Sequence, residues 1–149
     1  MEYDLVLLDN ELTNGLGNIK LSQPDGTFKL TPASYILIKA IVNNKNFLKG
    51  IGIDWGSGIG CMAILAAKIN EVKKIYGLEI SKDNLNISKK NALENSVNNK
   101  TIFILADSYM TLSREDDNFN RNVLVILILY WQIHLSVKEM MGLDIEEKF

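Results

Sequence analysis

The feature that most constrains this chain is a short apolar segment that ends in an acid and runs into three closely spaced glycines. Residues 51–60 read Ile-Gly-Ile-Asp-Trp-Gly-Ser-Gly-Ile-Gly, and a helical pattern of apolar residues follows them. Glycine has no Cβ, so the backbone at Gly56, Gly58 and Gly60 can turn sharply and lie directly against a ligand. The first turn of the following helix has unpaired N–H groups that favour an anion. The segment therefore predicts a strand, a ligand-binding loop and a helix.

The charges in this loop suggest which ligand it binds. Asp54 supplies a negative charge beside N–H groups that attract an anion. This arrangement suits a ligand with both an ammonium and a carboxylate, and an amino-acid moiety has that pair. Ser57 lies between the glycines of the same loop and is included among the expected contacts.

Strand and helix patterns alternate from residue 50 onward. Strands are predicted at residues 50–55, 74–80, 101–106 and 123–130, and helices at 59–70 and from the N-cap Ser81 to about Asn95. Strands separated by helices in this way form a parallel sheet with right-handed crossovers. The predicted fold class is therefore α/β, a Rossmann-like parallel sheet flanked by helices, with the ligand beyond the carboxyl ends of the strands.

The first 30 residues differ from this alternating part. Short strands are predicted at residues 3–8, 17–21 and 28–30, and a helix is predicted at 34–48 after Pro32. No repeat and no linker rich in proline and glycine divides the chain. We expect one domain over residues 1–149, with a β-rich segment at 1–30, a cofactor-binding core at 31–130 and an atypical tail at 131–149.

Acidic residues also end the next two predicted strands. Glu79 follows the glycine loop by about 20 residues, where a strand-tip carboxylate can accept hydrogen bonds from a ribose diol. Asp107 ends the third strand and could accept from the exocyclic amine of adenine. Parallel strands end at the same edge of a sheet, so Asp54, Glu79 and Asp107 are expected on one rim.

Composition limits the classes of partner. The formal net charge is -2 and the sequence pI is 5.4, so no overall positive field draws the chain to nucleic acid or anionic membranes. A nucleic-acid partner is not excluded, but the net charge does not support one. The longest apolar run, residues 123–131, is too short to cross a bilayer as a helix, and the N-terminus has no secretory pattern. A single cysteine fits a reducing compartment, so we expect a cytoplasmic protein.

These motifs together resemble one family, the Rossmann-like class I S-adenosylmethionine-dependent methyltransferases, and within it the small-domain group. The resemblance rests on Asp-Trp-Gly-Ser-Gly-Ile-Gly at residues 54–60, Gly-Leu-Glu-Ile-Ser at 77–81 and Leu-Ala-Asp-Ser at 105–108. It extends back to Gly-Thr-Phe-Lys-Leu-Thr-Pro-Ala-Ser at 26–34. It implies S-adenosylmethionine as the cofactor and methyl transfer to a nitrogen, oxygen or carbon nucleophile as the activity.

The resemblance also implies roles for single residues. The loop glycines and Asp54 would contact the methionine portion of the cofactor, and Glu79 the ribose hydroxyls. Ile80 would lie beside the adenine, and Asp107 would accept a hydrogen bond from its amine. The catalytic residues stay unassigned, no metal is implied, and the acceptor is left open among a nucleic-acid base, a protein and a small molecule.

The segment after the fourth predicted strand departs from the family. Related enzymes often have Asn or Asp, two prolines and an aromatic residue there, whereas residues 129–134 read Leu-Tyr-Trp-Gln-Ile-His. The family sheet has seven strands, so we expect the C-terminal part of this sheet to be truncated. A second hypothesis is therefore an S-adenosylmethionine-binding remnant or accessory subunit without its own catalysis. An apolar edge at residues 123–130 would also favour a homo-oligomer through the C-terminal region.

Other candidate reactive residues are better interpreted as packing residues. Cys61 falls in a predicted first helical turn and is treated as a small core residue. His134 has no identified partner, and Tyr130 and Trp131 fit the end of a buried strand better than a base-stacking role. A nicotinamide-dependent dehydrogenase, which shares the strand, the glycine loop and the distal acid, is the third hypothesis. It ranks last because the glycines of such enzymes follow G-x-G-x-x-G, whereas these follow G-x-G-x-G.

Overall fold

The computed structural model describes residues 4–106. In this part of the chain an antiparallel hairpin precedes a three-stranded parallel sheet that is flanked by helices. The elements in chain order are β1 (Leu5–Leu8), β2 (Ile19–Ser22), α1 (Pro32–Asn43), a short 3₁₀ helix (Lys45–Phe47), β3 (Gly50–Trp55), α2 (Cys61–Ala67), β4 (Val72–Glu79), α3 (Lys82–Glu94) and β5 (Thr101–Leu105).

The parallel sheet has the order β3-β4-β5. Asp54 lies opposite Gly77 in the first pair of strands, and Gly77 lies opposite Phe103 in the second. Helix α2 connects β3 to β4 and helix α3 connects β4 to β5, as parallel pairing requires. This confirms the predicted α/β class, and it places the carboxyl ends of three strands at one edge.

Several predictions lie outside the described residues. They include the strand at residues 123–130, the tail at 131–149, Asp107, the expected truncation of the sheet and the oligomer through the C-terminal region. The domain boundaries that depend on those ranges stay predictions.

The predicted strand at residues 28–30 is wrong. Side chains, rather than a neighbouring strand, bind its backbone donors: the N–H of Phe28 donates to Asn84 Oδ1 at 2.8 Å, and the N–H of Leu30 donates to Gln23 Oε1 at 3.0 Å. The segment is therefore extended chain whose backbone N–H groups are bound by side chains.

Helix α1 begins two residues earlier than predicted and ends five residues earlier. It begins at Pro32, whose missing N–H costs nothing in a first turn, and Thr31 before it donates its N–H to Ser34 Oγ at 3.0 Å. The helix ends where the Asn44 side chain donates to the carbonyl of Ala40 at 2.8 Å, and a 3₁₀ turn follows. Side-chain capping at both ends thus sets its length.

The hairpin and the parallel sheet share one hydrophobic core. Fully buried side chains of the hairpin, such as Leu8 and Leu21, belong to the same cluster as Ile64 of α2 and Ile75 of β4. A smaller cluster contains Ile53 of β3 with Tyr76 and Leu78 of β4, which lie on the opposite face of β4 from Ile75 of the main core. The N-terminal segment is therefore part of the fold rather than an appendage, and this brings it close to the glycine loop.

Candidate functional site

The glycine loop connects β3 to α2 and folds back over the end of β4. Gly56, Gly58 and Gly60 have φ values of +71°, +53° and +87°, in the left-handed region that favours glycine. The N–H groups of Gly56 and Ser57 both donate to the carbonyl of Leu78, at 2.8 and 2.9 Å. The sharp turn expected from the sequence is therefore present, and β4 holds it in place.

The three glycines have different surroundings. A Cβ at Gly56 would have no heavy atom within 4 Å, so this position borders open space. A Cβ at Gly58 would lie 3.3 Å from the Phe28 ring, and one at Gly60 would lie 3.0 Å from the Phe103 ring. Contact of all three with a ligand stays a prediction, but at Gly58 and Gly60 the close approach is to the protein itself. Among the three loop glycines, open space is present only beside Gly56.

Asp54 lies at the carboxyl end of β3 and is 8% exposed. Its Oδ2 accepts a hydrogen bond of 3.1 Å from the N–H of Ala63, the third residue of α2. Burial raises the pKa of Asp54 to about 6, and the nearby Glu79 adds to the rise, whereas the bond from Ala63 opposes it. Asp54 is thus a buried carboxylate that a ligand ammonium would stabilise.

Glu79 ends β4 and is 6% exposed. Its Oε2 accepts from the N–H of Gly58 at 2.7 Å, and its Oε1 accepts from the N–H of Ser81 at 2.8 Å. An ionised carboxylate can accept about four hydrogen bonds, so acceptor capacity is left for a ligand hydroxyl. Glu79 therefore ties the glycine loop to the N-cap of α3 in addition to its predicted role.

The other residues predicted to contact the cofactor differ in their exposure to solvent. Ile80 follows Glu79 and is 74% exposed, so its apolar side chain is accessible at the carboxyl end of β4. Within residues 4–106, Ser57 Oγ is the one buried side-chain polar atom without a hydrogen-bond partner. Asp107 lies outside the described residues.

The described residues fit a cofactor with an ammonium, a ribose and a planar base. Open space lies beside Gly56, a buried carboxylate ends each of the two flanking strands, and the Ser57 hydroxyl is unpaired. An exposed apolar residue, Ile80, follows at the same edge. A tight turn with no ligand would explain the glycine φ values and the bonds of the two carboxylates, but not the unpaired Ser57 hydroxyl.

Cys61 is excluded from chemistry by its environment. It is buried at the start of α2, and burial together with the nearby Asp54 raises the pKa of its thiol to about 12. A protonated thiol is a poor nucleophile, so Cys61 is a packing residue here. His134, Tyr130 and Trp131 lie outside the described residues.

Residues 4–106 contain neither a metal-ligand cluster nor a membrane-spanning helix. No three His, Cys, Asp or Glu side chains in this range are grouped as metal ligands. No helix in it is long and apolar enough to cross a membrane.

Two residues that pack against the glycine loop, Gly77 and Phe28, were not predicted as part of the site. A Cβ at Gly77 would lie 2.4 Å from Cδ1 of Phe103 and 3.0 Å from Ser57 Oγ, so only glycine fits between β5 and the loop. A glycine inside an apolar strand indicates a close approach, which could have identified Gly77. Phe28 lies in the segment at 26–34 that carried the resemblance, but no local pattern places its ring against Gly58.

Fold and site together define the class: an α/β domain with a glycine loop and strand-tip carboxylates at one edge of a parallel sheet, the arrangement of class I methyltransferases. The model of the family described as methyltransferase small domain matches residues 20–124, more than half of the chain. The chain belongs to this family, and its cofactor is S-adenosylmethionine. No curated protein matches the chain.

Solved structures similar to it include the following three. The Methanocaldococcus jannaschii tRNA m1G37 methyltransferase has a TM-score of 0.53 and 21% identity, over 78% of this chain and 32% of that one. The complex of aTrm5 and tRNALeu has a TM-score of 0.51 and 20% identity, over 98% and 39%. M. jannaschii Trm5 in complex with adenosine has a TM-score of 0.49 and 21% identity, over 72% and 31%.

This chain thus matches between 31% and 39% of the length of those proteins. At such low identity the likeness shows the fold alone.

Proposed function

We propose that this chain binds S-adenosylmethionine at the carboxyl ends of β3 and β4 and transfers its methyl group to a base of tRNA. The observation that carries the proposal is the open space beside Gly56, flanked by the buried carboxylates of Asp54 and Glu79. Membership in the methyltransferase small domain family supports it.

Each residue has a separate task in this proposal. Asp54 pairs with the cofactor ammonium, Gly56 and Ser57 line the methionine portion, and Glu79 uses its remaining lone pairs for the ribose hydroxyls. Ile80 covers one side of the adenine, and Asp107 accepts from its amine. The cofactor supplies, when bound, a methyl group on an electrophilic sulfonium. The residues of the chain contribute mainly by positioning it.

The acceptor is proposed from the structural neighbours. The two with TM-scores above 0.5 are a tRNA methyltransferase and a protein in complex with tRNA. The net charge of -2 means that tRNA would bind through local positive charges rather than an overall field. We further propose a cytoplasmic location, which suits the single reduced thiol, and self-association through the C-terminal region, which sedimentation at micromolar concentration tests.

Calorimetric titration with S-adenosylhomocysteine tests the site, and a matched pair of glycine variants sharpens the test. Gly56 and Gly15 both have positive φ, +71° and +87°, and open space where a Cβ would be. Ala therefore strains the backbone at both positions, but only Gly56→Ala would intrude on the ligand. We expect Gly56→Ala to weaken binding about tenfold or more, and Gly15→Ala to leave it unchanged.

Transfer of a tritiated methyl group to unfractionated tRNA tests the activity. Label in tRNA supports the proposal. Binding of S-adenosylhomocysteine with no transfer to tRNA would favour an accessory role instead. Absence of any binding heat, together with binding of a nicotinamide dinucleotide, would refute the cofactor assignment.

A further inference from the structure

Helix α3 presents two side-chain amides to the outer edge of β2. Asn91 is fully buried; its Oδ1 accepts from the N–H of Ser22 at 2.8 Å, and its Nδ2 donates to the carbonyl of Ser22 at 3.1 Å. Asn95 makes the same pair of bonds with Lys20, at 3.0 and 2.7 Å. Alternate residues of a strand direct their backbone groups to the same edge, and residues four apart share one helix face. The two amides thus replace a neighbouring strand.

Asn91 makes one additional bond that Asn95 lacks. Its Nδ2 also donates to the carbonyl of Ile59 at 3.0 Å, and Ile59 lies between Gly58 and Gly60 in the cofactor loop. The second donor of Asn95 goes instead to the carbonyl of Asn91 within the helix, at 2.8 Å. One amide therefore joins three segments: the N-terminal hairpin, α3 and the glycine loop.

The segment after β2 reaches the same loop by a second route. Asn84 of α3 accepts the N–H of Phe28 at 2.8 Å, and the Phe28 ring covers the position of a Cβ on Gly58. The N–H of Gly58 is in turn the donor to Glu79 Oε2 at 2.7 Å. The hairpin and its extension thus contact two adjacent loop residues, Gly58 and Ile59. Gly58 is also bonded to Glu79, the residue predicted to bind the ribose.

We propose that Asn91 is a positioning residue for the cofactor loop, and that it makes the affinity for the cofactor depend on docking of the N-terminal hairpin against α3. The identity of the cofactor in this inference rests on the proposed function, but the claim that Asn91 positions the loop does not. The carbonyl of Ile59 is held by the same amide that holds both backbone groups of Ser22. Release of the hairpin would remove the two bonds that fix the orientation of this amide, and with them the alignment of its donor on Ile59.

Asn91→Ala and Asn95→Ala form the matched pair that tests this. Each variant loses two bonds to β2 and one further bond from its amide, but only Asn91→Ala loses the bond to the loop. We expect similar losses of stability in urea unfolding. Affinity for S-adenosylhomocysteine should fall about tenfold in Asn91→Ala and less than about twofold in Asn95→Ala.

Amide hydrogen exchange of residues 56–60 without ligand is the second measurement. Asn91→Ala should raise exchange in this loop selectively, and Asn95→Ala should not. Should Asn91→Ala not fold, Asn91→Asp takes its place, because its carboxylate still accepts from the N–H of Ser22 but has no amide donor for the carbonyl of Ile59. It should raise loop exchange in the same way.

Equal effects of Asn91→Ala and Asn95→Ala on affinity and on loop exchange would overturn the proposal, as would wild-type affinity and exchange in a folded Asn91→Ala or Asn91→Asp. Failure of the wild type to bind S-adenosylhomocysteine would reject the proposed function instead. The exchange measurement would still decide whether Asn91 positions the loop.

Discussion

The Glu79 carboxylate accepts a 2.7 Å hydrogen bond from the backbone N–H of Gly58, so the tip of β4 holds the loop that follows β3. Its other oxygen accepts from Ser81 at the start of α3. A residue expected to bind ribose thus also shapes the backbone around the ligand.

We predict that Glu79→Ala lowers the free energy of unfolding by about 2–4 kcal/mol without any ligand, because two backbone donors lose a charged acceptor. Glu79→Gln keeps one acceptor oxygen and should cost about half of that. Urea unfolding measures both. The control is Glu94→Gln, which alters a half-exposed ion pair with Lys90 at 3.8 Å and should change stability by less than about 0.5 kcal/mol. Wild-type stability of Glu79→Ala would contradict the two bonds.

The second prediction concerns pH. The pKa of Asp54 is about 6 in the folded chain, above its ordinary 3.8, so the folded state binds this proton more tightly than the unfolded state. The resulting stabilisation is complete below pH 3.8 and is lost as the pH rises through 6, a change of about 3 kcal/mol. Asp54→Asn cannot titrate but still offers Ala63 an acceptor.

We therefore expect the stability difference between Asp54→Asn and wild type to grow in favour of the variant between pH 4 and 7. Urea unfolding at each pH gives the difference, in which the other carboxylates cancel. A difference that stays constant over this range would show that Asp54 has an ordinary pKa.

The third prediction concerns Gly77, whose missing Cβ leaves room for the Phe103 ring. Gly77→Ala should destabilise the chain by about 1–3 kcal/mol through overpacking. Phe103→Leu provides space, so the double variant should be less destabilised than the sum of the single variants by about 1 kcal/mol. Thermal and urea unfolding of all four proteins complete the cycle. Additive effects would mean that the two side chains do not compete for space.

The fourth prediction is a labelling experiment on Cys61, the only cysteine of the chain. Because it is 3% exposed and its thiol pKa is about 12, a thiol-specific disulfide reagent should not react with the native protein at pH 8. In denaturing urea the same reagent should label it fully. Rapid reaction in the native state would show that the thiol is not buried.

Local patterns in the sequence are sufficient to predict the strands, helices and turns around the loop. The position of β3, the N-cap at Ser81 and the sharp turn at Gly56 were all predicted, and Ser81 Oγ accepts from the N–H of Asn84 at 3.3 Å as a cap does. Each depends on residues within a few positions of one another, because side-chain periodicity and glycine φ preferences act locally.

Contacts between distant segments were decided only by the tertiary structure. An asparagine in a polar helix such as α3 would be read as a solvated residue, yet Asn91 is buried and bonded to Ser22, 69 positions away. Likewise Phe28 was predicted in a strand, but its N–H is bound by Asn84, 56 positions away. No local pattern encodes which buried backbone groups lack a neighbouring strand, since that depends on how the hairpin and α3 pack together.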